Sequence, residues 1–265
     1  MDTNFSTLTS RFARYRDYYS ALYKEMNEAH LFYQLRFEDL VARPENVDAV
    51  IPPTAKTRLD VAVTELISDS PKVHRKRDQH TIPQKIMDDL IEAAILAFLR
   101  NSEEYTITPV LHELYKLQLL RGMVVIGGPF VDVSEDELTV YMEAYDPLNV
   151  YFSPGTRPQE VFIHTKMTVI ELEELSERHK ILTNFRRNGH SDITELTLVQ
   201  WYRKPEKSKG NGQYAAWIAE ESTDFLTAPK DSGYPYLPLE PVYSGWGIHT
   251  VGSKPEDVAV SFLNP

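Results

Sequence analysis

The sequence predicts an α+β protein, in which a helical N-terminal half precedes a mostly antiparallel sheet with one helix packed on it. Over residues 1–122, apolar side chains recur every three or four positions, which is the spacing of one helix face. Over residues 123–265, the spacing changes to the short apolar runs and alternation of strands. We therefore predict a helical region 1–122 and an α+β region 123–265.

The first two predicted helices cover about residues 5–30 and 54–70. Pro53 or Thr54 suits the start of the second helix, and Pro71 ends it. In the first helix, the periodic spacing predicts a face buried on neighbouring elements rather than a cofactor site. That face consists of Phe5, Phe12, Tyr15, Tyr19, Leu22, Tyr23 and Met26. The apolar side of the second consists of Leu59, Val63, Leu66 and Ile67.

Two further helices are expected before residue 122. One covers about residues 83–100, with an apolar side that includes Ile86, Leu90 and Phe98. The other begins at Thr108 and Pro109, an N-cap followed by proline at the first helical position, and stops near Gly122.

Six strands and one helix are predicted beyond residue 122. The first strand is expected to end at the sequence Gly127-Gly128-Pro129, and residues 226–245 are expected to form turns and extended pieces. Thr168 and Glu171 form a capping box that begins a helix through about His179, with Ile170 and Leu175 buried. The strands cover residues 123–126, 138–145, 149–152, 161–167, 194–202 and 214–220.

Composition excludes several kinds of site. The chain has no cysteine, which excludes disulfides, zinc–thiolate sites, iron–sulfur clusters and cysteine nucleophiles. The N-terminus has no apolar core of signal-peptide length. The longest strongly apolar stretch, near residues 90–99, is about half the length of a membrane span. We expect neither a membrane-spanning nor a conventionally secreted protein.

No catalytic, cofactor-binding or metal-binding motif stands out. The sequence has neither a GxGxxG fingerprint nor a P-loop, and Ser153 lacks the GxSxG frame. His112 and Glu113 begin a zinc-protease-like pair, but Lys116 stands where the second histidine is needed. The spacing of the other histidines matches no metal site. We therefore predict that the protein is not an enzyme and that it needs no cofactor.

Charge and aromatic content favour assembly. The formal net charge is −11, and residues 121–265, with 13 basic and 21 acidic side chains, account for −8 of it. The dense basic run at residues 72–77 is interpreted as a solvated loop rather than as the face of a sequence-reading DNA binder. The 15 tyrosines outnumber the 11 phenylalanines, and tyrosine is favoured at interfaces.

Four segments occur in a familiar order. They are residues 120–122 (Leu-Arg-Gly), Asp146-Pro147 with Val150, the capping box at residues 168–172, and the Tyr-Pro-Tyr-Leu-Pro sequence at residues 234–238. With the aromatic first helix, this order resembles the portal protein of tailed bacteriophages, over most of residues 5–250. The resemblance implies a wing-like α+β fold and no enzymatic activity.

The resemblance also implies a function and partners. Portal subunits form a ring, usually of about twelve copies, at one capsid vertex. Double-stranded DNA passes through the ring without sequence recognition during packaging and ejection. The expected partners are other copies of the chain, the major capsid protein, the terminase and the head–tail connector, in a virion assembled in the host cytoplasm. Portal chains continue into stem, clip and crown segments, so this chain, which ends at Pro265, is expected to be part of a longer protein or a truncated form.

Three groups are candidates for subunit interfaces. They are the tyrosines of the first helix (Tyr15, Tyr19, Tyr23), the basic loop (Arg75, Arg77) and the acidic helix (Glu171, Glu174). Salt bridges between acidic and basic faces would each contribute under about 1 kcal/mol, so a ring would also need apolar burial.

Two alternatives remain open. One is another head–tail adaptor or capsid-associated structural protein, which would share the acidic, cysteine-free composition. The other is a hydrolase without a recognisable motif, which would use His164 or His190 with a nearby carboxylate.

Overall fold

The fold is described from a computed structural model. It describes residues 3–36, 53–67, 107–133, 138–155, 157–179, 190–206, 210–219, 224–244, 257, 259–261 and 263. The predicted helix at residues 83–100 and the basic run at residues 72–77 lie outside the described residues.

The described residues confirm the α+β class, with helices in the N-terminal part followed by antiparallel sheets. The helices are α1 (Phe5–Tyr18), α2 (Ser20–Tyr33), α3 (Thr54–Ile67), α4 (Ile107–Arg121) and α5 (Val169–His179). The strands are β1 (Met123–Val133), β2 (Leu138–Tyr145), β3 (Val150–Phe152), β4 (Glu160–Thr168), β5 (Glu195–Arg203), β6 (Gln213–Ile218), β7 (Thr227–Asp231) and β8 (Leu239–Tyr243). A 3₁₀ turn, Pro147–Asn149, precedes β3.

By their contacts, the residues divide into two units that do not follow the boundary at residue 122. The first unit comprises Met1–Lys24, Asp146–Glu240 and Ile248–Asp257. The second comprises Glu25–Tyr145, Pro241–Gly247 and Val258–Pro265. The chain therefore runs from the first unit to the second and back, so neither unit corresponds to one continuous segment.

The first unit is a five-stranded antiparallel sheet in the order β3-β4-β5-β6-β7. Alternate residues of a strand point to opposite faces, and both faces are apolar here. On one face, Phe5 and Phe12 of α1 contact Trp217 edge-on. On the other face, Val169 and Leu172 of α5 join a buried cluster with Leu196, Leu198, Tyr214, Ala216 and Ile218. The sheet is thus covered by a helix on each side.

The second unit is built around α4 and the sheet β2-β1-β8. Leu114 and Leu117 of α4 pack with Val124 of β1, and Leu119 and Leu120 pack with α3. Further along the chain, Ser261 donates its hydroxyl to the Leu120 carbonyl at 2.7 Å. Among the described helices, none is long and apolar enough to cross a membrane.

Several element predictions are wrong in detail. The first helix is interrupted at Tyr19, where the Ser20 hydroxyl donates to the Asp17 carbonyl and competes with the helical bonding pattern. Strand β1 continues through Gly127-Gly128-Pro129, with a register shift between Gly127 and Phe130. By contrast, strands β7 and β8 agree with the extended pieces that the sequence predicts within residues 226–245.

Two positions predicted to be buried are exposed. Ile170 is 46% exposed, because Val169 and Leu172, three residues apart, are the α5 residues that face the sheet. Leu66 of α3 is 49% exposed. In both cases an apolar residue lies beside the buried face of its helix, and hydrophobicity alone does not distinguish the two positions.

Gly122 joins α4 to β1 and provides a test of this connection. Its φ is +75°, and an added Cβ would overlap the backbone of Val260. We expect Gly122→Ala to destabilise the protein by more than about 2 kcal/mol, because the left-handed backbone penalty adds to a backbone clash.

The matched control is Gly233→Ala. Gly233 has a φ of +78°, but nothing lies within 4 Å of the position that an added Cβ would take. Gly233→Ala should therefore lower the free energy of unfolding by the left-handed backbone penalty alone, about 1–2 kcal/mol. Urea unfolding midpoints would measure both effects, and equal losses would show that the close approach to Val260 is unimportant.

Candidate functional site

A charged network is buried where α1 meets the sheet of the first unit. The Glu160 carboxylate, in a residue only 5% exposed, accepts three hydrogen bonds. Arg11 Nη1 donates to Oε2 at 2.6 Å, and the Trp201 indole donates to the same oxygen at 3.0 Å. The Tyr15 hydroxyl donates to Oε1 at 2.6 Å. Both carboxylate oxygens are therefore occupied.

Local structure places each member of this network. Arg11 and Tyr15 are four residues apart on α1, so they share one helix face. Glu160 begins β4, and Trp201 lies on the neighbouring strand β5, opposite Phe162. The Tyr15 ring packs edge-on against Phe162, with ring centroids 5.4 Å apart. The polar groups are thus surrounded by aromatic rings.

The chemistry of this network is that of a structural centre. Burial, and then the hydrogen bond to Glu160, raise the pKa of the Tyr15 hydroxyl well above its usual range, which keeps it a proton donor. Arginine stays protonated at any pH of interest. Arg11 and Tyr15 hold α1 in register on the sheet, and with the Trp201 indole they leave neither carboxylate oxygen without a partner.

The other two tyrosines of the first predicted helix also face the sheet of their own unit. Tyr19 is 5% exposed and its ring stacks on Tyr23 at 5.9 Å. The Tyr23 hydroxyl donates to the Val150 carbonyl at 2.7 Å, and burial raises its pKa. The prediction of a buried helix face is confirmed at these positions, and all three tyrosines contact residues of the same chain.

His164 lies on the same face of β4 as Glu160 and Phe162. Its ring stacks on Tyr151 at 5.3 Å and contacts Phe12 of α1 at 6.4 Å. Burial, and then the positive charges of Arg16 and Lys166, lower its pKa. His164 is one of the two candidates of the hydrolase hypothesis, which requires a carboxylate beside the ring. His190, the other candidate of that hypothesis, is half-buried.

The acidic helix α5 presents an exposed face. Its predicted capping box is present: the Glu171 carboxylate accepts from the Thr168 backbone at 2.7 Å and from the Thr168 hydroxyl at 2.8 Å. These hydrogen bonds lower the pKa of Glu171. Glu174 is exposed on the same helix.

Exposed isoleucines lie beside these acids. Ile170 is 46% exposed, and its backbone N–H donates to the Asp192 carbonyl at 3.3 Å. Ile193, the next residue after Asp192, is 82% exposed. We call Ile170, Glu171, Glu174 and Ile193 the α5 face; it combines apolar and acidic side chains at the surface of the first unit.

The candidate residues thus fall into different environments. Tyr15, Tyr19 and Tyr23 lie together against the sheet, whereas Glu171 and Glu174 lie on the exposed α5 face. Arg75 and Arg77 lie outside the described residues. Within the described residues, no group of three or more histidine, aspartate or glutamate side chains could hold a metal ion.

Sequence reasoning missed Arg11, Glu160 and Trp201. A signal was available for Arg11, because a charged residue interrupts the apolar face four residues before Tyr15. Nothing local indicated Glu160, which is 149 residues from Arg11 in the sequence.

No known protein family matches the chain, and no curated protein resembles it significantly.

The buried network can be tested by removing one partner at a time. We expect Arg11→Met or Glu160→Gln alone to destabilise the protein by about 3 kcal/mol, because each leaves a buried charge without its counter-ion. The free energy of unfolding should fall less in the double variant than the sum of its decreases in the two single variants. Chemical unfolding of the four proteins gives the coupling energy.

Glu206→Gln is the control for this cycle. Arg203 and Glu206 also form an ion pair, at 2.9 Å, but the Glu206 side chain is 64% exposed. Its loss should cost under about 1 kcal/mol. A coupling energy between Arg11 and Glu160 that is no larger than the stability loss of Glu206→Gln would contradict the role given to the buried pair.

Proposed function

We propose that this chain is a structural subunit of a bacteriophage portal ring, the channel at one capsid vertex through which DNA is packaged and ejected. The observation that carries the proposal is the order of four sequence segments that resemble the portal family. Each of these segments lies at a junction or a connection between helices and strands. At such a position, a family-specific segment would determine how the chain enters the next element.

The first two segments support this proposal through the turns they form. Gly122 connects α4 to β1 with a left-handed backbone packed against Val260. The Asp146 carboxylate caps the 3₁₀ turn by accepting from the Leu148 N–H at 3.0 Å, and Val150 begins β3 fully buried. These residues set the path of the chain into each sheet.

The other two segments support it in the same way. The capping box of Thr168 and Glu171 ends β4 and begins α5. Residues 234–238 connect β7 to β8, and the Tyr234 and Tyr236 rings lie 5.9 Å apart within that connection. The order of turn, strand, capped helix and antiparallel strands is therefore present in the fold.

The α5 face is the surface that we propose for contact with a neighbouring subunit or another virion protein. It offers apolar area at Ile170 and Ile193 beside the charges of Glu171 and Glu174. Burial of apolar surface supplies most of the free energy of association, whereas exposed ion pairs contribute little. A complementary partner surface would combine apolar area with basic groups, and the sequence at residues 72–77 of a second copy contains such basic groups.

The charge of the chain is compatible with DNA passage. DNA that must slide through a channel cannot be held by many phosphate contacts, since each contact releases counter-ions and adds affinity. Residues 121–265 carry a formal charge of −8. In the proposed role, the partners are other copies, the major capsid protein, the terminase and the head–tail connector, and the location is the virion.

The first test is the native mass of the purified chain, with negative-stain images of the same fraction. We expect a ring of about twelve subunits with a central hole. A chain that stays monomeric at every concentration would count against the portal proposal. A smaller ring, or copurification with tails rather than capsids, would favour a head–tail adaptor.

A charge reversal tests the proposed contact surface. We expect Glu174→Lys to reduce the fraction of chain found in rings, because it places a positive charge on the acidic α5 face. Glu113→Lys makes the same change at an exposed position of α4 and should assemble normally. Circular dichroism checks that both variants fold, and equal assembly of the two would exclude the α5 face.

A further inference from the structure

We propose that His164 makes the packing of α1 on the sheet sensitive to acid, so that a proton on its imidazole loosens α1 from the first unit. This proposal is independent of the portal function. It depends on where the His164 ring lies, on the surroundings of its Nδ1 atom, and on the charges that face it.

The His164 ring is part of the contact between α1 and the sheet. It stacks on Tyr151 of β3, with centroids 5.3 Å apart and planes at 21°. Phe12 of α1 packs against it, and the same Phe12 ring also contacts Tyr151, Phe162 and Trp217. A change in the charge of this imidazole therefore acts on Phe12, an α1 residue that packs against rings of three strands, β3, β4 and β6.

The Nδ1 atom of His164 is buried and has no hydrogen-bond partner among the described residues. In the neutral ring, one nitrogen can remain unprotonated, so Nδ1 needs no acceptor. The imidazolium carries N–H groups on both nitrogens. Protonation would therefore bury a charged donor without an acceptor, which is among the costlier arrangements in a protein interior.

The charges that face His164 make protonation harder still. Arg16 belongs to α1, and Lys166 lies two residues further along β4 on the same face. Among the described residues of β3, Tyr151 is the titratable residue whose ring contacts the His164 ring. Burial raises the pKa of Tyr151 to about 12, so it stays neutral. Glu160, on the same face of β4, already accepts from Arg11, Tyr15 and Trp201. An imidazolium would thus meet two like charges.

The direction of the pH effect follows from these contacts. The pKa of His164 is lower in the folded protein than in the unfolded chain, where it is about 6.5. The folded state is therefore fully stable with respect to this group above pH 6.5. Stability is lost as the pH falls from about 6.5 through the folded-state pKa, because the unfolded chain binds the proton more readily.

Hydrogen exchange of the α1 amides tests the proposal on the full chain. After correction for intrinsic exchange rates, we expect the opening constant of α1 to rise at least about twofold between pH 7.5 and pH 5.0. In His164→Phe, which keeps an aromatic ring but cannot titrate, this rise should disappear. Above pH 5, ordinary carboxyl groups stay largely ionised, so their effects in this window are small.

Two further variants keep the test decisive. His112→Phe changes an exposed histidine of α4 and should retain the wild-type response. Arg16→Gln removes one of the like charges, so it should raise the pKa of His164, measured by NMR, and weaken the acid response. The proposal is overturned if His164 titrates at or above 6.5 in the folded protein, or if His164→Phe and the wild type lose α1 protection equally. If His164→Phe does not fold, the NMR pKa and Arg16→Gln decide alone.

Discussion

The buried ion pair between Arg11 and Glu160 is the constraint on which the first unit depends. It joins the first helix to a strand 149 residues later, and it does so with a charge on each side. Burying these charges is unfavourable unless every donor and acceptor is satisfied. The Tyr15 hydroxyl and the Trp201 indole meet this requirement. An apolar contact would tolerate small shifts of α1, whereas this network specifies one position.

That constraint determines what the aromatic residues of the N-terminus can do. Once Arg11 fixes the rotation of α1, Phe5, Phe12 and Tyr15 all point at the sheet. Tyr19 and Tyr23 continue the same packing against Tyr151. The high tyrosine content suggested an interface, but at these three positions the tyrosines pack against residues of the same chain. Among the candidates in the described residues, those that remain at the surface are Glu171 and Glu174, so the proposed contact surface lies on α5.

Local signals in the sequence predict the elements, and long-range geometry decides the rest. The Thr168–Glu171 capping box is predictable because all its atoms lie within three residues. Strand β2 is predicted at its observed bounds, since its alternation is strict. The continuation of β1 through Gly127-Gly128-Pro129 is not, because it depends on pairing with β2. The partner of Arg11, and the division of the sequence between the two units, also depend on contacts between distant segments, which no local pattern indicates.

Two of the ionisable residues on one face of β4, Glu160 and His164, show how charge is arranged where α1 contacts the sheet. Glu160 accepts hydrogen bonds from three donors, two of which lie on α1, and the protein gains a fixed register for this helix. His164 lies four residues further along, against Phe12 of the same helix, and its surroundings favour the neutral ring. One helix is therefore held by a buried ion pair and by a ring whose surroundings favour its neutral form. In the proposed response to acid, a proton on His164 loosens α1, so the helix, and not the sheet, is the part of this unit that responds to pH.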